Sequence, residues 1–340
     1  MTPGRPGRRL LISLVVCAAT TFAAAMPAVA TFDGDNGPIA FRRYTNDDHT
    51  RGAIFVVRPD GTGGRQLTHP GSAGVSAEPD VSPNGRWVVH SLYRNAQEER
   101  SVIKKVRING TDERTLDQTC TAPCLTDGYP AWAPGGRRIA FQRGLGPRAG
   151  RTTVFALFVM SADGSHARQV TQRHKDPEVR QPIGDFAPAW SPNGRRLAFE
   201  RFSQSRGHQA IFTVRLDGTG LRRLTPWWLD ASQPDYSPDG RWILYRTREG
   251  SDVSGNIELV RPNGADRHLV THARSGHGKW LSASFSPDGR RIVAGYTRVV
   301  DGQQQNADVY TFRLDGSGLR NVTRTPDKWE SAVDWGPTRR

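Results

Sequence analysis

The chain predicts an all-β fold: a six-bladed β-propeller of four-stranded antiparallel blades, closed by N-terminal strands that pair with the C-terminal strand. Three observations predict it. A tight turn recurs along the chain, a second turn series interleaves with the first, and the two chain ends are out of phase by one strand. Such spacing is the signature of a repeat architecture.

The first turn series reads Ser82-Pro83-Asn84-Gly85, Ala133-Pro134-Gly135-Gly136, Ser191-Pro192-Asn193-Gly194, Ser237-Pro238-Asp239-Gly240 and Ser286-Pro287-Asp288-Gly289, with steps of 51, 58, 46 and 49 residues. Proline pre-sets φ at the first turn position, Asn or Asp tolerates the second, and Gly takes a positive φ at the exit. A large residue precedes each turn (Val81, Trp132, Trp190, Tyr236, Phe285). A short β-prone run follows, such as Ile139-Ala140-Phe141 or Leu197-Ala198-Phe199. The second series is Asp60-Gly61, Asn109-Gly110, Asp163-Gly164, Asp217-Gly218, Asn263-Gly264 and Asp315-Gly316. These dipeptides are strong hairpin signals. A strand precedes each, and a shorter one follows, ending near Leu67-Thr68, Val170-Thr171, Leu224-Thr225, Val270-Thr271 and Val322-Thr323. Each repeat therefore has four strands. At the ends, Ile39-Ala40-Phe41 matches a second strand without a first, and Ala332-Val333-Asp334-Trp335 matches a first strand without a second. Pairing them closes a ring and limits exposed sheet edges.

The organisation expected is a signal peptide over 1–30, a short segment over 31–36 and a single propeller domain over 37–340. Arg5, Arg8 and Arg9 precede an apolar run from Leu10 to Ala25, and Ala28-Val29-Ala30 offers small residues for cleavage before Thr31. This leader predicts export, so the mature chain is expected outside the cytoplasm, extracellular or in the cell-envelope space, and no later stretch is long and apolar enough to predict a transmembrane span. The formal charge is +14 for the whole chain and +11 from Thr31 onward, and only five of the 47 basic residues are Lys. That bias fits GC-rich codon usage or a polyanionic partner, such as an anionic cell-envelope polymer. No nucleic-acid partner is expected. Cys120 and Cys124 remain after the leader is removed, and in an oxidising compartment they can close a local disulfide; free thiols are the alternative. Two thiolates without nearby His make an incomplete zinc site. His49 beside Asp47 and Asp48, and His272 with His277, lack metal-ligand spacing, so neither a metal nor a cofactor is expected.

Together, the aromatic residue, the Ser-Pro-Asp-Gly turn, the apolar triplet, the Asp-Gly turn and the Leu-Thr ending resemble the TolB-type repeat, also called the WD40-like PD repeat. The resemblance covers about residues 37–337. It implies a TolB-like propeller, without a counterpart of TolB's N-terminal α/β domain between Thr31 and Gly37. The same resemblance accounts for a basic residue after the turn glycine.

The repeat also sorts the loops. First-to-second and third-to-fourth turns share one face and are tight. The second-to-third and inter-blade connections share the other face; they are long and differ between repeats, which is where binding usually sits. Trp227, Trp228, Trp280 and Trp329 are assigned to those inter-blade loops, with Lys279 and Lys328 beside the last two, and His272 and His277 in the same group. Trp beside a cation suits stacking on sugars or peptides, and equally each Trp could plug its own blade junction. On the tight-turn face Arg86, Arg137, Arg195, Arg241 and Arg290 form a basic ring. No Gly-x-Ser-x-Gly elbow and no phosphate-cradling loop occurs, which disfavours an enzyme. The expected function is a protein-, peptide- or glycan-binding module. The alternatives are a propeller hydrolase or lyase acting on a polysaccharide or ester at the channel mouth, and an envelope component docking by its basic face.

Overall fold

The computed structural model describes residues 34–71, 74–94, 101–116, 124–146, 154–172, 175–176, 179–248, 255–273, 277–301 and 303–338. The expected leader and Cys120, and with Cys120 the expected disulfide, lie outside the described residues. Six four-stranded antiparallel blades follow the repeat. Listed from the channel outward, blade 1 is Glu330–Pro337, Asn36–Tyr44, Gly52–Val57 and Arg65–Gln66; blade 2 is Val75–Val81, Trp87–Tyr93, Ser101–Arg107 and Arg114–Thr115. Blade 3 is Cys124–Trp132, Arg138–Leu145, Val154–Ser161 and Arg168–Gln169; blade 4 is Val179–Trp190, Arg196–Ser203, His208–Arg215 and Arg222–Arg223. Blade 5 is Ser232–Tyr236, Ile243–Arg248, Gly255–Val260 and His268–Leu269; blade 6 is Gly278–Phe285, Arg291–Val300, Gln303–Arg313 and Arg320–Asn321. The C-terminal strand closes blade 1 as expected: Ile39 lies opposite Trp335, Ala40 opposite Asp334 and Arg43 opposite Glu330.

Local chemistry explains the repeat. The turn glycines Gly85, Gly136, Gly194, Gly240 and Gly289 all have φ between 63 and 70°, a region costly for residues with a Cβ. Each donates its N–H to the residue three before it at 2.8 Å. In the second series the Asp or Asn Oδ1 accepts the N–H two residues on, as in Asp60 with Thr62 (2.8 Å) and Asp217 with Thr219 (2.9 Å). The Leu-Thr ending has a role as well. Thr68, Thr171, Thr225 and Thr271 each present Oγ1 to a third-strand N–H at 2.9 Å, and Thr323 does so at 3.1 Å. The hydroxyl extends the ladder where the short fourth strand stops.

The apolar triplets form the core, with Ile39, Ala40, Ile139, Ala140, Phe141, Leu197, Ala198 and Phe199 fully buried. Each large side chain so placed contributes about 1.5–3 kcal/mol. Aromatics at the first-strand ends wedge between blades, and the indole N–H of Trp190 donates to Ala131 O of the preceding blade at 3.0 Å. Two further sets of contacts lace blade to blade. At the channel, Asp334 accepts Val81 N (2.8 Å), Asp80 accepts Trp132 N, and Asp235 accepts Phe285 N (2.9 Å). At the rim, Arg65 donates to Ile108 O, Arg168 to Leu216 O (2.8 Å), Arg222 to Asn263 O (2.6 Å) and Arg320 to Asp60 O (2.6 Å). The Arg320 contact ties blade 6 back to blade 1.

Candidate binding face and central channel

On the tight-turn face, Arg86, Arg137, Arg195, Arg241 and Arg290 are all exposed. A second set two residues before each Asp-Gly or Asn-Gly turn is partly engaged within its own blade: Arg107 lies 4.5 Å over the Trp87 ring and Arg261 3.8 Å over Trp242. Five of the six blades thus present the same arginine, after the turn glycine, on this face.

The long-loop face is not uniform, and the four tryptophans assigned to it do not gather in one patch. Trp227 opens a short 3-10 helix, Trp227–Leu229, and packs its ring 5.7 Å from Phe212. Trp228 is 63% exposed, with Arg267 5.4 Å over its ring. Trp280 is no loop residue: it lies within the first strand of blade 6, 7% exposed, with ring centroids 4.7 Å from Tyr296 and 5.0 Å from Phe312. The loop assignment failed because that strand begins at Gly278, earlier than its counterpart in blade 5. Trp329 stacks near His49 (5.2 Å), which stacks on Tyr44 (4.6 Å). These three rings and Lys328 line a pocket of about 260 Å³ between blades 6 and 1. Lys328 pairs with Asp327 at 2.8 Å. His272 is exposed and shares with Trp280 a crevice of about 450 Å³. His277 accepts Val299 N through its backbone carbonyl at 3.0 Å.

Sequence reading missed the channel. All six innermost strands carry a register shift midway. In five of them a non-glycine residue there takes a left-handed φ: Glu78, Tyr129, Ala187, Gln233 and Ala332. Such backbone is uncommon and stores strain of order 1–3 kcal/mol per residue. The bulges bring polar residues from five blades within electrostatic range of one another. Tyr129 of blade 3 feels Glu78 of blade 2, Glu200 of blade 4, Arg42 of blade 1 and Arg246 of blade 5. Glu78 is 1% exposed and accepts from Ser91 Oγ (2.5 Å) and Tyr93 OH (2.9 Å). Arg42 is 4% exposed, donates to Ser331 Oγ (2.7 Å) and lies 4.1 Å over Tyr44.

Burial tunes this group. It pushes Glu200 up to about 7 against the opposing pull of Arg246, and pushes Arg246 itself down to about 10 with help from Arg248. Lys279 falls to about 8, again through burial and then through Arg246 and Arg248. Gln233 is 1% exposed, and neither end of its amide has a partner among the described residues. Buried amides are almost always hydrogen-bonded to protein or to ordered water, so the Gln233 amide has free capacity for a water or a ligand group at the channel bulge. The sequence signal for these positions was the residue two before each innermost-strand Asp or Ala, read off the repeat.

The described residues contain no cluster of three or more His, Cys, Asp or Glu able to hold a metal ion, and no helix long and apolar enough to cross a membrane. A ring of six four-stranded blades around a polar channel, with one tight-turned and one irregular face, defines a closed β-propeller. The TolB beta propeller domain family matches residues 179–337. The Tol-Pal system protein TolB of Anaeromyxobacter dehalogenans is 31% identical over 194 residues, 56% of this chain and 38% of that protein. Dipeptidyl-peptidase 5 of Porphyromonas endodontalis is 29% identical over 191 residues, 52% of this chain and 25% of that protein. The chain thus matches well under half the length of both relatives. Among solved structures, TolB from Acinetobacter baumannii aligns with a TM-score of 0.66 at 15% identity, over 89% of this chain and 67% of that one. The chain has a TolB-type β-propeller fold, and its blades from residue 179 to 337 match the TolB beta propeller domain.

Proposed function

We propose that this chain is an exported binding propeller whose protein, peptide or glycan partner docks on the long-loop face, over the polar channel mouth. One observation carries the reading: Gln233 is buried at the channel bulge with both amide ends unmatched, beside arginines and carboxyls drawn from other blades. An apolar residue of similar size would need no partner there, so the amide is suited to a group it can bind, from water or from a docked partner. The similarity to TolB of the Tol-Pal system supports a protein-type partner.

The test uses Gln233→Leu. If the amide serves a partner, the variant melts at the same or a higher temperature, yet partner capture from the exported fraction falls about tenfold or more. Unchanged capture by a well-folded variant would remove the channel mouth from the binding site. A propeller enzyme is the second reading. It is favoured by Glu200, a carboxyl held near 7, which suits a general acid or base, and by the likeness to a peptidase. Hydrolysis or elimination lost in Glu200→Gln would select it.

A further inference from the structure

Blade 6 departs from blades 1, 3 and 4 at a set of aligned positions. In those three blades the apolar triplet ends in Phe41, Phe141 or Phe199, and two residues later stands Arg43, Arg143 or Arg201. Each arginine pairs with an acid on the innermost strand: Arg43 with Glu330, Arg143 with Asp127 and Arg201 with Asp185, at 2.6–2.7 Å through Nε. Each also lies over the triplet Phe and a third-strand Phe opposite it, as Arg201 does over Phe199 (5.3 Å) and Phe212 (4.9 Å). Blade 6 replaces the whole unit. Ala294 ends its triplet, Tyr296 stands for the arginine, Trp280 for the acid and Tyr310 for the third-strand Phe; the register pairs Trp280 with Tyr296 and Ala294 with Tyr310.

Exchanging a self-satisfied ion pair for rings around a small alanine changes what the blade can do. In the other three units the arginine fills the space between its acid and the two phenylalanines. Blade 6 instead has the crevice of about 450 Å³ named above, lined by Trp280, Tyr296, Tyr310, Phe312, Arg298 and His272, with further residues from the end of blade 5. This volume lies within the usual range for small-molecule sites. Its rings meet at steep angles: 82° between Trp280 and Tyr310, 85° between Tyr296 and Tyr310, and 62° between Trp280 and Phe312. The corner has no near-parallel pair to sandwich a flat aromatic ligand, although its edges leave edge-to-face contact open. A corner of rings accepts a thicker body with C–H groups on its faces and hydroxyls on its edge. Polar groups stand where that edge would fall: the Tyr310 hydroxyl, which accepts from Asn321 Nδ2 at 3.2 Å, and the exposed Arg298 and His272.

We propose that this crevice is a carbohydrate subsite that takes one pyranose ring, its C–H face against the half-buried Tyr296 ring and its hydroxyls toward Tyr310, Arg298 and His272. The site is separate from the channel mouth, so it stands or falls independently of the partner-docking reading. The test is ligand-observed saturation-transfer NMR on the full chain. The probes are methyl glucoside, methyl galactoside, methyl N-acetylglucosaminide and methyl glucuronide, with indole as an aromatic control. At least one glycoside should bind saturably, with transfer strongest at its ring C–H protons. Arg298→Ala and Tyr310→Phe should each weaken it about five- to tenfold, as expected for one lost hydrogen bond. Both are mild changes whose folding is checked by thermal melt. Trp329→Ala, in the other pocket, should leave binding unchanged. The proposal is overturned if no glycoside binds, if binding survives Arg298→Ala and Tyr310→Phe together, or if indole displaces the glycoside.

Discussion

Asp334 stands where blades 1, 2 and 6 meet. It is 1% exposed, accepts Val81 N at 2.8 Å from blade 2, and accepts the Ser284 hydroxyl at 3.2 Å from blade 6. Asp334 and Asp235 of blade 5 in turn raise the cost of a charge on Asp80 of blade 2. Burial pushes the Asp334 carboxyl up to about 7 from its ordinary value of 3.8. In the unfolded chain it would titrate near the ordinary value. Between these two limits the folded chain holds a proton that the unfolded chain releases, so stability is fully present below about pH 4 and is lost as pH rises through 7. At about 1.4 kcal/mol per pH unit, a gap of about three units sets an upper bound of about 4 kcal/mol. Asp80 and Glu200, also raised by burial, act with the same sign. Glu113, held at about 2 by its hydrogen bond with His90, has the opposite sign but titrates below this window. Asp334→Asn keeps an acceptor for Val81 N and removes the titration. Urea unfolding at pH 5, 6, 7 and 8 should show the natural chain weakening with pH, and the variant weakening less and overtaking it by pH 8. Parallel curves for the two proteins would refute the reasoning.

Two further outcomes follow from the blade architecture. Deleting Ala332–Arg340 removes most of the strand that pairs with Asn36–Tyr44 and exposes that edge, so cooperative unfolding should be lost and aggregation should rise; a truncated chain that melts as sharply as the full one would disprove closure. Arg201→Met strands Asp185, itself only 3% exposed, and should cost about 3–5 kcal/mol in chemical denaturation, whereas Arg201→Met with Asp185→Leu should recover most of it; a single variant as stable as the natural chain would show that the pair is dispensable.

The fold was legible because it rests on local chemistry. Pro, Asp and Gly at fixed turn positions act within four residues, and a period of about 50 residues makes that chemistry visible five times in one turn series and six times in the other. Closure was legible for a related reason, since two ends out of phase by one strand have one good solution. The channel was not legible. Glu78, Tyr129 and Gln233 matter through bulges that turn them inward, and a bulge leaves no composition mark. The buried ion pairs were hidden by ordinariness: Asp127 with Arg143 and Asp185 with Arg201 are each 16 residues apart, in a chain full of arginine. Trp280 reads as a loop residue from sequence because the first strand of blade 6, Gly278–Phe285, starts earlier relative to its turn than that of blade 5, Ser232–Tyr236. Aligning on the turn instead would have placed it six residues before Ser286, where Asp127 precedes Ala133 and Asp185 precedes Ser191.

That alignment also bears on why the chain uses arginine so heavily. The rim ties ask only for a cation on a carbonyl, and in blade 2 a lysine supplies one: Lys105 Nζ donates to Ala162 O of blade 3 at 2.7 Å. Arginine is replaceable there. It is not replaceable at Arg143 and Arg201, which each bind both carboxylate oxygens of their partner through Nε and a terminal nitrogen while lying flat over two phenylalanines. A lysine ammonium offers neither the planar fork nor the stacking surface. Codon bias can therefore explain the rim, but the blade interiors select for the guanidinium itself. The turn-face residues Arg86, Arg137, Arg195, Arg241 and Arg290 belong to neither group. The turn itself uses only their backbone N–H, as at Arg195, and Arg241 also lies 3.7 Å from Asp239 of its own turn; a polyanionic neighbour or codon usage accounts for a cation at these exposed positions. Replacing them with lysine separates these explanations from a guanidinium-specific contact: general charge attraction survives the exchange, while bidentate recognition of phosphate or carboxylate does not.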